Sequence, residues 1–202
     1  THLDDGVGQI VAALERAGLR DNTLIVFSSD NGGQRNWTAP ESQYNGRYRP
    51  HETLGNNRPL RGWKGDLYEG GIRVPAFVNW PGHVPAGRVF DQPTHVVDFL
   101  PTLLQAAGGD PADVPVAEGI DLWSAVGEES AELPERVLYW KTPSGSAVRE
   151  GDWKLIRHDR DQQTELFDVA SDPLEEHDLA GEQPERVETL VGLLHQMAEN
   201  DQ

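Results

Sequence analysis

Residues 23–33 read TLIVFSSDNGG, an apolar run that stops at an acid, an amide and two glycines. Leu24 to Phe27 form the short continuous apolar run expected of a strand covered on both faces. Upstream, Leu3, Val7, Ile10, Val11 and Leu14 recur at helical spacing. Asp4 and Asp5 stand in that helix's first turn, where the dipole favours anions, and Gly18 is a natural stop. A helix feeding such a strand predicts an α/β layer. Ligands of open α/β sheets gather beyond the carboxyl ends of strands. Asp30 and Asn31 are predicted to sit at such an end, with Gly32 and Gly33 letting the backbone turn sharply. Taken alone, Asp-Asn-Gly-Gly also reads as an ordinary turn.

Downstream, Gln34 to Trp63 shows no sustained periodicity, and a connection this long is functional or disordered. Residues 58–82, RPLRGWKGDLYEGGIRVPAFVNWPG, begin as a glycine-punctuated loop. Ile72 to Trp80 then reads as a strand, with Pro75 at an edge or bulge. Lys64, between glycines and aromatics, reads either as an ammonium directed into a site or as a solvated loop charge. Val96 to Ala107 is predicted helical, with Asp98 as cap, Pro101 in the first turn, and Gly108 and Gly109 ending it. His95, near that start, reads as a capping or structural histidine. Residues 110–135 read as a linker rich in Pro, Gly and acids.

Four strand-like pieces follow: Val137 to Trp140, Ser146 to Arg149, Trp153 to Arg157 and Glu165 to Asp168. Turn signals separate them, as in a small antiparallel sheet. A closing helix from Pro184 to Glu199 places Val187, Leu190, Val191, Leu194 and Met197 on one face. The expected organisation is an α/β catalytic portion over residues 1–125 and a subdomain of sheet plus helix over 126–202.

The 202 residues carry 17 basic and 34 acidic side chains, a formal charge of −17. Such a field disfavours nucleic acid or an anionic membrane as partner. Residues 31–80 run against it, with seven Lys/Arg and four acids, a local +3 that leaves −20 elsewhere. A basic island in an acidic protein suggests a site for a small anion. Absence of cysteine excludes disulfides, thiolate metal sites and a cysteine nucleophile from these residues. No apolar run approaches the length of a membrane span. Thr1 is not an initiator Met and no signal peptide opens the chain, so it reads as a processed chain or a piece of a longer one.

The ordered set of DGVGQIVAALERAGLRDNTLIVFSSDNGG, GWKGDLYEGGIRVP, HVVDFLPTLLQAAGG, GDWKLI and ELFDVASDPLEEHDLA resembles the C-terminal half of a type I sulfatase. The resemblance is to the arylsulfatase kind within the alkaline-phosphatase-like superfamily, and it runs over nearly the whole chain. It implies the C-terminal part of that α/β sandwich, with a small antiparallel sheet and helix appended. It also implies that Asp30 and Asn31 supply two ligands to an active-site calcium, a role suited to a carboxylate beside an amide carbonyl. Lys64 matches the family lysine that binds the substrate sulfate, opposing the charge of the transition state. His51, Arg58 and Arg61 lie in the variable loop region that meets the organic part of the substrate, and are candidates for leaving-group recognition. Arg73 reads as a structural ion pair rather than a second anion contact.

The resemblance implies a small-molecule or glycan sulfate ester as substrate, and export, as is common in the family. It also implies a formylglycine nucleophile made within a C/S-x-P-x-R motif, which these residues lack; TPSGS at 142–146 is not a match. Calcium takes six to eight oxygen ligands, and one carboxylate with one amide supplies few of them. The 202 residues are therefore expected to bind calcium poorly alone and, without an activated nucleophile, to leave sulfate esters intact. Two alternatives stay open: a phosphonate or phosphate monoester hydrolase of the same superfamily, and a non-catalytic sulfatase-like chain.

Overall fold

The computed structural model describes residues 2–38, 42–47, 50–110, 112, 118–127 and 132–200. In chain order, the first elements are α1 (His2–Arg16), β1 (Ile25–Ser28), β2 (Asn36–Trp37), β3 (His51–Glu52), α2 (Glu69–Ile72) and β4 (Ala76–Asn79). Then come α3 (Phe99–Ala106), α4 (Trp123–Gly127), β5 (Val137–Thr142), β6 (Gly145–Glu150), β7 (Trp153–His158), β8 (Thr164–Asp168) and α5 (Pro184–Asn200). Residues 111, 113–117 and 128–131 of the expected linker, and Arg49 of the basic island, lie outside the described residues.

The packing units are discontinuous in sequence: Thr1–Ser28 with Ala76–Pro134, and Ser29–Pro75 with Glu135–Gln202. Residues 29–75 group with the C-terminal sheet through long-range contacts that leave no local signature in the chain.

In the first unit, β1 pairs antiparallel with β4, Phe27 opposite Phe77, and their rings stack at 5.0 Å. Both faces of β1 were expected to be covered. Its first three residues are half-buried and Ser28 is exposed, because a two-stranded sheet supplies too few neighbours to cover two faces. The apolar stripe of α1 divides likewise: Val7, Val11 and Leu14 are half-buried, whereas Leu3 and Ile10 are exposed. Gly18 ends this helix at φ +67°. Before α3, His95 is the capping residue, and the buried Asp98 carboxylate accepts the His95 N–H at 2.7 Å and the Ile120 N–H at 3.1 Å. Asp98 therefore acts as the acidic partner of a capping box rather than as the cap itself.

In the second unit, β5 to β8 form an antiparallel meander in sequential order. Alternation along each strand splits the apolar residues between two faces. Val148, Leu155 and Leu166 meet Leu190 and Leu194 of α5, while Ala147, Ile156 and Phe167 meet Leu67 and Val169. The sheet is thus covered on both sides, by α5 and by the segment containing Leu67 and Tyr68.

One expected element is different. Ile72 to Trp80 is not a continuous strand: a single helical turn, α2, ends at Ile72, with the Arg73 N–H donating to the Glu69 carbonyl at 2.7 Å. Pro75 lies between this turn and β4, consistent with its exclusion from the ladder interior. Leu166→Ala in the fully buried α5 face should cost about 2–5 kcal/mol. Urea unfolding monitored by circular dichroism checks this, and an unchanged midpoint rejects the two-faced core.

Candidate functional site

Residues 29–33 form a corner fastened to the α2 turn backbone to backbone. The Ser29 N–H donates to the Pro75 carbonyl at 3.1 Å, and the Gly32 N–H to the Gly71 carbonyl at 2.9 Å. Gly32 is buried so closely that a Cβ there would stand 1.8 Å from the Gly70 carbonyl oxygen. Only a residue without a side chain permits this approach. Asn57 grips the next residue: its Oδ1 accepts the Gly33 N–H at 2.7 Å, and its Nδ2 donates to the Gly33 carbonyl at 3.1 Å and to Gly62 at 3.0 Å.

Of the sequence-predicted residues, Asp30, Asn31 and Lys64 are brought to this corner. Asp30 is exposed, and among the described residues its carboxylate has no hydrogen-bond or ion-pair partner. Asn31 is half-buried and its Nδ2 donates to the Gly32 carbonyl at 3.0 Å, which leaves the amide oxygen as the group facing any cation. The Lys64 N–H donates to the Gly33 carbonyl at 3.0 Å. Its side chain is exposed, and among the described residues its ammonium has no partner. A carboxylate and an amide oxygen are hard donors of the kind calcium takes, so the pair fits that ion as two ligands of a larger set.

The other three candidates are held differently. His51 lies in β3 opposite Trp37 and is exposed, as is Arg58. Arg61 is fixed to its own unit: Nη1 donates to the Glu175 carbonyl at 2.8 Å, Nη2 to the Tyr68 hydroxyl at 3.1 Å, and the guanidinium stands 3.9 Å over the Tyr68 ring. Tyr68 in turn donates to Glu165, which also pairs with Arg61 and His158. Burial, reinforced by that carboxylate, raises the Tyr68 hydroxyl above its ordinary range, so it remains a donor. Arg73 lies 4.0 Å from Glu69, the structural ion pair expected of it.

Beneath the α2 turn lies a group that sequence reasoning missed. Lys154 Nζ is 2.9 Å from Glu69 Oε1 and 2.7 Å from Glu175 Oε1, and the Glu69 N–H donates to Glu175 Oε2 at 2.7 Å. Lys154 and Glu175 are fully buried and Glu69 is 3% exposed. Burial pushes the Glu175 carboxyl up, with the Lys154 ammonium pulling the other way. One available signal was the strand period, which puts Lys154 on the same face as Ile156, toward Leu67. Elsewhere Asp172, Glu176 and His177 bring ligand atoms within 4.8 Å of one another, but Asp172 already accepts the His177 N–H at 2.9 Å.

Comparison with known proteins gives two family matches. The Sulfatase family model matches residues 1–109, and that of the C-terminal region of N-sulphoglucosamine sulphohydrolase matches residues 62–202. Mouse (Mus musculus) steryl-sulfatase is 38% identical over 120 residues, covering 59% of this chain and 18% of that protein. The structure of Ps i-CgsB in complex with k-i-k-neocarrahexaose superposes with a TM-score of 0.78 at 31% identity, over 98% of this chain and 41% of that one. BT4656, in complex with its substrate D-glucosamine-2-N,6-O-disulfate, gives 0.66 at 25% identity, over 97% of this chain and 38% of that one. The chain therefore spans about a fifth of the mouse relative and about two fifths of the solved structures.

Gly32→Ala should displace the corner or cost several kcal/mol, roughly 2–4, because the colliding atom is a backbone carbonyl. Thermal unfolding and the backbone amide shifts of residues 30–33 check this; a variant matching wild type in both rejects the close approach.

Proposed function

Because the chain belongs to the sulfatase family, with the α/β fold of the alkaline-phosphatase-like superfamily, we propose that it supplies the metal corner and the sulfate clamp of a calcium-dependent sulfate ester hydrolase. The observation that carries this reading is the Lys64 N–H to Gly33 carbonyl bond at 3.0 Å. It ties the loop of a lysine whose ammonium has no partner among the described residues directly to the corner presenting Asp30 and Asn31.

Asp30 would hold the metal through a carboxylate oxygen and Asn31 through its amide oxygen. Calcium bound there would supply positive charge to the reacting sulfate group. Lys64 does work of its own. Its ammonium would hold a sulfate oxygen and oppose the negative charge that grows there as the ester bond breaks, a contribution that strengthens in the transition state. The surrounding backbone bonds keep the Lys64 main chain placed before substrate arrives, so that only its side chain has to settle on the sulfate.

Sulfated glycans or small sulfate esters are the proposed substrates, in keeping with the names of the relatives. His51 and Arg58, both exposed, remain the proposed contacts to the organic part. Arg61 is the weaker of the three, because its guanidinium is already engaged by Glu175, Tyr68 and Glu165. The formylglycine nucleophile and the remaining calcium ligands are proposed to come from outside these 202 residues, which contain no C/S-x-P-x-R segment.

In a protein carrying the complete metal shell and nucleophile, Lys64→Ala should lower kcat/KM for 4-nitrophenyl sulfate by about 10²–10³. Asp30→Ala should abolish the calcium-dependent rate, measured with and without chelator. Near-normal turnover in either variant removes that residue from the mechanism, and faster hydrolysis of a phosphonate monoester by the wild type would reassign the chemistry. The 202-residue chain alone should leave the aryl sulfate unhydrolysed; measurable turnover by it would place a nucleophile within these residues.

A further inference from the structure

The loop that carries Lys64 is closed at both ends by a single residue. At one end, the main-chain carbonyl of Glu175 accepts from Arg61 Nη1 at 2.8 Å. At the other, Glu175 Oε2 accepts the Glu69 N–H at 2.7 Å, while its Oε1 is held by Lys154 Nζ at 2.7 Å. Glu175 is fully buried and adopts φ +56°, a left-handed conformation disfavoured for a residue with a side chain. A strained, buried acid persists only where its surroundings over-determine it.

We propose that Glu175 is a positioning residue for Lys64: by holding both ends of the 61–71 loop, it fixes where the lysine stands against the Asp30–Asn31 corner. The inference rests on the reading of Lys64 as the sulfate clamp.

Two features favour positioning over a purely stabilising role. First, a buried ion cluster adds little net stability compared with well-packed apolar residues, because desolvation offsets the attraction. Its directional bonds, by contrast, leave the loop ends one arrangement. Second, the end fixed at Glu69 continues immediately into Gly70 and Gly71, and the Gly71 carbonyl is the acceptor for the Gly32 N–H. A shift at Glu69 is therefore transmitted to the metal corner through a single turn. Lys64 lies between the two anchored ends and is bonded to Gly33, so the same shift moves it as well.

Amide hydrogen exchange by NMR on the 202-residue chain tests this with no need for catalysis. Glu175→Gln keeps the shape but cannot accept from both Glu69 and Lys154. Exchange at Lys64 and Gly32 should accelerate about tenfold or more, while the amides of β6 and β7 stay within about twofold of wild type. Unchanged rates at Lys64 and Gly32 overturn the proposal, as does a uniform acceleration that includes the sheet. Should E175Q not fold, Arg61→Met frees one loop end without leaving a buried charge, and must give the same selective acceleration at Lys64. In a protein carrying the complete metal shell and nucleophile, inorganic sulfate should shift the Lys64 resonances of the wild type and do so several-fold more weakly in E175Q. A protein with the complete metal shell and nucleophile whose Lys64 ignores sulfate fails the functional reading, whereas the exchange pattern alone decides the loop-closing role of Glu175.

Discussion

The ion cluster of Lys154, Glu69 and Glu175 is the constraint on which the second unit depends. An ammonium with no solvent exposure is tolerable only while its carboxylates stay within hydrogen-bond reach. Removing both carboxylates would strand the ammonium, and a stranded buried charge costs about 3–5 kcal/mol, whereas losing one leaves it paired with the other. The three residues come from β7, from α2 and from the turn after β8, so satisfying Lys154 brings three distant stretches of chain to one place. Two glutamates to one lysine leave an excess of negative charge, and the partial compensation is visible: Arg73 stands 4.0 Å from Glu69, and burial raises the Glu175 carboxyl toward its neutral form.

The basic island is less basic in space than in sequence. Arg61 and Arg73, two of its seven cations, face Glu165 and Glu69. Glu165 arrives from β8, about a hundred residues later, so its neutralising effect does not show in a local charge count. Lys64 and Arg58 keep exposed side chains. Within the island, Arg61 and Arg73 thus shape the loop, whereas Lys64 and Arg58 carry their charge at the surface.

Much of this was legible in the sequence where the signal is local. The four strands of the meander and α5 stand close to their expected ranges, since turn residues such as Ser144-Gly145 and Gly151-Asp152 and a clean helical stripe are local features. Asp30, Asn31 and Lys64 stand out by motif, and one backbone hydrogen bond, from Lys64 to Gly33, ties the two segments that carry them. The turn α2 was not legible, because two adjacent glycines disfavour helix and its bonds are supported by packing rather than propensity. Lys154 was not legible either. In the apolar run WKLI a lysine normally carries its charge to water along its stem, and only the arrival of Glu69 and Glu175 makes burial possible. The grouping of 29–75 with 135–202 has the same origin, since it is set by contacts between residues 85 to 114 positions apart.

Close backbone packing completes the construction of the site. A Cβ at Gly70 would meet the Arg61 carbonyl at 2.5 Å, one at Gly71 would meet Asp66 at 2.1 Å, and one at Gly32 would meet Gly70 at 1.8 Å. The Asp30–Asn31 corner, the α2 turn and the Lys64 loop therefore touch without intervening side chains. Side chains adapt by changing rotamer, whereas backbone in contact with backbone moves only as a unit. Arrangement by glycines alone would still leave the loop free to hinge, because glycine widens the accessible conformations. The buried charges beneath supply the missing restraint: glycine permits the approach, and Glu175 with Lys154 removes the freedom that glycine brings. The proposed clamp for a small tetrahedral anion would need both, since its few contacts act only at short range and lose their effect when misplaced by about an ångström.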